Sequence, residues 1–205
     1  MSRHDLRRVR VFIALELSQG VKHRANELIK KLKHTGADVK WTPTDQMHLT
    51  LKFLGEISRD EIIPLCRYTQ EVAARFEPFD LGFRGTGAFP HTDHPRTLWI
   101  GVEDGLEEVR ALQSSLENAL HEKLGFAKER RQFTPHLTIG RVHKATPEMN
   151  DVMEANSDFE GDSSEVDELV VFASYMERQG PRYAPLGHAT LGKMSVSRAD
   201  EDDEF

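Results

Sequence analysis

The sequence predicts an α+β fold, and three observations carry that expectation. Apolar patterning reads in the order strand, helix, strand, strand, helix, strand, strand, helix, strand, strand, strand, which is not strict βαβα alternation. Several neighbouring strands are joined by links too short for a parallel crossover, so antiparallel pairing is expected. No Walker loop or G-x-G-x-x-G turn is present: Gly82, Gly85 and Gly87 are loosely spaced and follow a strand without opening a helix.

The elements follow from residue type and period. Val9 to Leu17 is rich in β-branched and aromatic residues and predicts a strand. Ser18 caps a helix whose apolar positions Val21, Ala25, Leu28, Ile29 and Leu32 keep the 3.6-residue period, with Gly36 ending it. A short extended piece, Val39 to Trp41, is closed by Pro43. His48 to Leu54 alternates as a strand, with Gly55 as its stop. A second helix covers about residues 60–76, with Pro64 near its start.

Phe79 to Gly87 and Thr97 to Val102 predict strands, and the proline- and histidine-containing Ala88 to Arg96 predicts a loop between them. Asp104 is placed to cap a third helix with Leu106, Val109, Leu112, Leu116, Leu120 and Leu124 on one face, stopped by Gly125. His136 to Val142 is another strand. The acidic stretch after it reads as a solvated helix or a loose loop. Glu168 to Tyr175 and Tyr183 to Val196 predict final strands joined through Gln179-Gly180-Pro181. Residues 1–198 are expected to form one domain, and 199–205 a disordered acidic tail.

Charge and cysteine content bound the function. The 205 residues carry a formal charge of −7, but the acid is uneven. Glu148 to Glu168 holds nine acids and no Lys or Arg, and Asp200 to Glu204 holds five more; the other 20 acids face 27 basic residues, a body at +7. The total therefore does not exclude a polyanionic partner. One cysteine, Cys66, excludes an internal disulfide framework and a multi-thiolate zinc site, and suits a cytoplasmic chain. No apolar run approaches a membrane span, and the basic N-terminus lacks the apolar region of a signal peptide.

Two tetrapeptides stand out among ten histidines: His48-Leu49-Thr50-Leu51 and His136-Leu137-Thr138-Ile139, 88 residues apart. Composition predicts only about 0.06 H-L-T triplets in this chain by chance. In a strand, residues i and i+2 share a face. Each motif thus offers one imidazole and one hydroxyl to one side while its aliphatic residues point into core. Two histidines supply a base for water and an acid for a departing sugar oxygen; two hydroxyls can donate to phosphoryl oxygens. That kit opens a cyclic phosphodiester and demands no metal. Two histidines are also too few for a metal site, and no partnering carboxylate shares their faces.

These residues resemble the 2H phosphoesterase superfamily, and more closely the bacterial and archaeal RNA 2′,3′-cyclic phosphodiesterases once described as 2′-5′ RNA ligases. The resemblance runs from Val11-Phe12-Ile13-Ala14-Leu15 through His48 to Gly55, Gly87 to Pro90, Thr97-Leu98-Trp99, Phe133 to Arg141 and Arg182-Tyr183. It implies two pseudo-symmetric lobes, with antiparallel sheets lining a central cleft and helices packed outside. It implies hydrolysis of a 2′,3′-cyclic phosphate at an RNA end to a 2′-phosphomonoester, without a cofactor or metal. By resemblance His48 is the proton donor, His136 the acceptor, and Thr50 and Thr138 bind the phosphate; the near-identical motifs do not themselves separate the two histidine roles. Gly140 departs from the alanine common in the family.

Other positions carry two readings each. Lys52, four residues beyond His48, either meets the RNA backbone or is a solvated strand-end lysine. Arg141 follows the second motif but by strict alternation faces away from His136, favouring a structural or electrostatic role over substrate contact. Phe89 either stacks on a base or folds onto the core. Phe12 and Tyr183 read as core, as does an inert Cys66, while His91, His94, His121 and His143 read as surface. A monomer acting on RNA ends and not on a membrane is expected. Two competing activities use the same residues: 2′-5′ ligation, in which an RNA 5′-hydroxyl replaces water, and binding of RNA ends without turnover.

Overall fold

The computed structural model describes residues 8–178 and 180–192. Nine strands and four helices follow in them in the order β1 (Arg8–Glu16), α1 (Gln19–Lys33), β2 (Asp38–Trp41), β3 (His48–Ser58), α2 (Ile62–Ala73), β4 (Phe79–Phe89), β5 (Thr97–Val102), α3 (Leu106–Leu124), β6 (His136–Lys144), α4 (Pro147–Glu154), β7 (Glu160–Val166), β8 (Glu168–Glu177) and β9 (Gly180–Thr190). They build two antiparallel sheets, ordered β3-β1-β8-β9 and β2-β6-β5-β4-β7. The α+β expectation with antiparallel sheets therefore holds.

The two motifs occupy equivalent places. β1 leads through α1 to β3, its antiparallel partner; β5 leads through α3 to β6, its antiparallel partner. Glu16 lies opposite His48 and Gly101 opposite His136. Each helix covers the other half's sheet, α1 against β7 and α3 against β3, and β3 itself approaches β6. The sheets are thus held together by reciprocal packing, with the two motif strands at their junction.

Local sequence accounts for these elements. Ser18 Oγ accepts the Val21 N–H at 3.2 Å and starts α1, whose residues Val21, Ala25, Leu28, Ile29 and Leu32 are all buried. Gly125, at φ +74°, ends α3 as expected, but Gly105 rather than Asp104 stands at its start. Ser58 and Glu61 form a capping box ahead of α2, leaving Pro64 in the first turn where its missing N–H costs nothing.

Three expectations need correction. β3 continues past Gly55, which takes φ +73° within the strand, and β4 extends to Phe89. The stretch after β6 is neither wholly helix nor loop. Pro147–Glu154 is helical and Glu160–Val166 is an edge strand on β4, with Gly161, Ser164 and Val166 inward and acids outward. Its polar composition and an interruption of the alternation at Asp162, which takes φ +70°, hid the strand. β9 ends at Thr190; the continuation expected to Val196 and the tail 199–205 lie outside the described residues.

The third correction reaches the site. In the β1–β3 ladder Ala14 pairs with Thr50 and Ile13 with Lys52, so Leu51 is an extra residue; in β5–β6, Trp99 pairs with Thr138 and Leu98 with Gly140, so Ile139 is extra. Each bulge inverts the alternation beyond it. Leu51 and Lys52 are both buried and Phe53 emerges; Ile139 and Gly140 are both buried and Arg141 emerges. Lys52, expected to share the face of His48, is 3% exposed on the opposite side. Its Nζ donates to Glu117 Oε1 and to the Ala127 carbonyl, both at 2.9 Å.

Burial alone would raise the Glu117 carboxyl, but donation from the Glu129 N–H and from Lys52 outweighs it and holds the group below the ordinary carboxylate range. The pair's stabilisation is present above the unfolded carboxyl pKa and lost as pH falls through the lower folded value. Lys52→Met strands Glu117 and is expected to lower the unfolding free energy by about 3 kcal/mol, read by urea denaturation at pH 7. An unchanged midpoint would show the pair to be stability-neutral.

Candidate active site

A cleft of about 380 Å³ opens between the two motif strands, and His48, Thr50, His136 and Thr138 all line it. Strand alternation explains the arrangement. His48 and Thr50 project to one side of β3 while Leu49 and Leu51 are at most 2% exposed behind them; Leu137 and Ile139 are fully buried behind His136 and Thr138. Each buried aliphatic contributes about 1.5–3 kcal/mol, so a register slip exposing them is strongly disfavoured.

The two imidazoles are held alike. His48 Nδ1 lies 2.7 Å from the Gln46 carbonyl, and His136 Nδ1 lies 2.7 Å from the Thr134 carbonyl, in each case the residue two positions back. A carbonyl only accepts, so Nδ1 donates in both rings and Nε2 is left as the nitrogen that exchanges a proton. Gln46 does more: its Nε2 donates to the Pro181 carbonyl at 2.8 Å, tying the turn before His48 to the β8–β9 hairpin.

Aromatic rings wall both histidines. Phe12 stacks on His48 with centroids 4.9 Å apart, and Tyr183 meets it edge-on at 5.4 Å. Phe89 meets His136 edge-on at 5.0 Å, and Trp99 lies 6.3 Å from it. Gly87 permits this second wall, since a Cβ there would sit 2.2 Å from the Trp99 indole. The rings desolvate the imidazoles. Burial, aided by the charges of Lys22 and His136 and opposed by the Gln46 carbonyl, lowers the His48 pKa to about 4. Burial also lowers His136, against its Thr134 bond, with the Arg141 guanidinium adding to the effect.

The remaining sequence candidates divide. Arg141 lines the cleft because the bulge turns it there, contrary to the strict-alternation expectation, and its charge reaches both His136 and Tyr183. Lys52 is turned away and cannot meet a substrate in the cleft. Phe89 packs on His136 and Trp99 at the end of β4 instead of standing in a free loop. Phe12 is buried, as expected, yet its ring touches His48. Tyr183, half-buried, lines the cleft.

Sequence reading missed Phe53, Gln46 and Trp99. Phe53 had a usable signal, since it stands five residues after its histidine, as Arg141 does after His136. Among the described residues no group of three or more His, Cys, Asp or Glu side chains could hold a metal ion, and no helix is long and apolar enough to cross a membrane. Another cavity, of about 390 Å³ between β4 and α4, includes neither motif histidine.

The family model described as LigT like Phosphoesterase matches the chain twice, over residues 15–99 and 100–183, one match per motif. The RNA 2′,3′-cyclic phosphodiesterase of Archaeoglobus fulgidus is 32% identical over 87% of this chain and 98% of its own length. The protein of that name from Thermotoga maritima is 34% identical over 87% and 93%. A crystal structure of a Thermus thermophilus protein superposes with a TM-score of 0.77 at 26% identity, covering 90% of this chain and 99% of the other. That of E. coli LigT complexed with 3′-AMP gives 0.71 at 23%, covering 90% and 98%, which bears on fold alone.

In the unliganded protein, nitrogen-detected histidine NMR is expected to show His48 and His136 as neutral Nδ1–H tautomers at pH 7, with His48 titrating near pH 4. Because its folded pKa is lowered, the unfolded chain binds that proton first, so stability falls as pH drops from about 6.5 toward 4. An Nε2–H tautomer at either ring would overturn the assignment of Nδ1 as the donor to the backbone carbonyl.

Proposed function

The chain belongs to the LigT-like phosphoesterase family, and on that premise we propose that it hydrolyses a ribose 2′,3′-cyclic phosphate at an RNA end to a 2′-phosphomonoester. The observation that carries this reading is the matched pair of His-x-Thr units on one cleft, each with Nδ1 committed to a backbone carbonyl and Nε2 left for proton exchange. The relatives' names supply the substrate class.

The step balances with these groups alone. His136 Nε2 takes a proton from water as its oxygen attacks phosphorus. The bond from phosphorus to the ribose 3′ oxygen breaks, and His48 Nε2–H protonates that oxygen. The Thr50 and Thr138 hydroxyls donate to the non-bridging oxygens as charge builds there, with Arg141 as counter-charge. Proton exchange with solvent restores both rings.

Electrostatics do not by themselves divide the labour. Burial with the Arg141 charge disfavours an imidazolium at 136, and burial with the charges of Lys22 and His136 disfavours one at 48, so His48 as acid and His136 as base rests on the family resemblance. A His48 pKa of about 4 means that the empty protein holds little of the acid form at neutrality. A phosphate anion hydrogen-bonded to the ring reverses this: at ~4 Å and an effective dielectric of ~20 it is worth about 4 kcal/mol, roughly three pKa units.

His48→Ala and His136→Ala are each expected to lose about 10³-fold in turnover of a cyclic-phosphate-ended RNA with unchanged circular dichroism, while EDTA leaves the wild type unaffected. Turnover retained by either variant refutes the mechanism. The optimum of kcat/KM, set by the lowered pKa values of the free protein, should lie below pH 6.5, and that of kcat at higher pH where bound phosphate raises His48. Coincident optima would remove the substrate-induced shift.

A further inference from the structure

The catalytic cleft does not end at its histidines. A second groove, about 220 Å³, continues from it along β1 and β8, and the two share Arg10, Ser174 and Met176. The far part of that groove is lined by Arg8, Glu56 and Tyr175. It exists because the β8–β9 hairpin outruns its neighbour. The β1–β8 ladder ends at Arg10 and Ser174, whereas β8 and β9 stay paired to Glu177 and Gly180. The overhang presents Tyr175 and Met176 beyond the sheet.

The surface chemistry there is unusual for this molecule. Four large hydrophobic side chains stand exposed among the described residues, and three of them, Phe53, Tyr175 and Met176, lie along this path, with Met176 at 72% and Tyr175 at 38% exposure. Arginines are interleaved with them. The Arg182 guanidinium lies 4.9 Å over the Tyr175 ring and pairs with Glu177, and Arg8 donates to the Glu56 carbonyl at 2.7 Å. Aromatic and thioether surface alternating with guanidinium groups in a trough is how proteins hold single-stranded nucleic acid: bases stack, and phosphates meet cations.

We propose that this groove holds the nucleotides immediately 5′ of the terminal cyclic phosphate, with Tyr175 and Met176 as a stacking platform and Arg8 and Arg10 at the intervening phosphates. The inference rests on the phosphodiesterase reading and deepens it, because it makes a short single-stranded RNA end, rather than a cyclic mononucleotide, the preferred substrate. A 3′-terminal cyclic nucleotide extends only from its 5′ side. A chain seated in the cleft therefore needs an exit, and this groove is continuous with the cleft.

The test compares a 2′,3′-cyclic mononucleotide with a tetranucleotide ending in the same cyclic phosphate. The wild type is expected to show at least tenfold higher kcat/KM on the tetranucleotide, mainly through KM. Tyr175→Ala should lose about tenfold on the tetranucleotide, with Tyr175→Phe restoring it and cyclic-mononucleotide hydrolysis unchanged within twofold in both. Equal use of the two substrates by the wild type, or equal loss on both in Tyr175→Ala, overturns the groove assignment. Fluorescence anisotropy of the labelled 2′-phosphorylated tetranucleotide separates this failure from that of the parent reading. Wild-type protein that hydrolyses neither substrate refutes the phosphodiesterase; about tenfold weaker binding in Tyr175→Ala then still supports the groove, and equal binding overturns it.

Discussion

What surrounds the four motif side chains depends on one irregularity used twice, a single extra residue in the strand just after each threonine. Without Leu51 and Ile139 in that role, strict alternation would put Lys52 and Gly140 on the cleft face and bury Phe53 and Arg141. The bulge lets a strand present His and Thr to the cleft, then commit two consecutive residues to the interior, then return a third side chain to the cleft. Position +4 becomes a core position in both halves. One half fills it with a lysine that reaches Glu117 on α3. The other leaves it as Gly140, where a Cβ would lie 2.7 Å from Val39 and 3.0 Å from the Trp41 ring.

That difference ties the halves together asymmetrically. Lys52 and Glu117 grip the segment leading from α3 to the second motif, through the Ala127 carbonyl and the Glu129 N–H. The strand that delivers the first histidine thereby anchors the chain that delivers the second. A buried ion pair is a poor source of net stability compared with apolar packing, but it fixes geometry because misplacing either partner leaves a charge without compensation. The same duplication with divergence appears at position +5, where a neutral ring in one half and a guanidinium in the other give two nearly identical histidines different electrostatic surroundings.

The legible part of the molecule was its periodicity. The buried face of α1 could be named residue by residue, because helix period and burial are the same statement. The pairing of His with Thr on one face was equally readable, since it spans two residues and no irregularity intervenes. What was not readable lay beyond the bulges. Lys52 and Arg141 were assigned to opposite faces from those they occupy, because a bulge is set by ladder register between strands far apart in sequence, and a single strand does not announce it. β7 was missed for a different reason: its inward positions are Gly, Ser and Val, small residues suited to an edge strand lying close on Phe83, and they carry too little hydrophobic contrast to mark a strand. Aromatic walls such as Trp99 on His136 needed the third dimension altogether.

The acidic total of the chain looks awkward for the RNA-end substrate proposed above, and the placement of the acids resolves much of the difficulty. Most of the acids between 148 and 168 belong to α4, to β7 and to the turn joining them. β7 is the far edge of the five-stranded sheet, while the second motif strand lies three steps away across β4 and β5. Along the sheet, three inter-strand spacings of about 14 Å separate that edge from the second motif strand, against a screening length of about 8 Å at physiological salt. The side chains that line the cleft include three cations, Arg10, Lys40 and Arg141, and no carboxylate. Net charge sums over the whole chain, whereas an incoming phosphate responds to the charges within a screening length of its path, and on that path the cations are in excess.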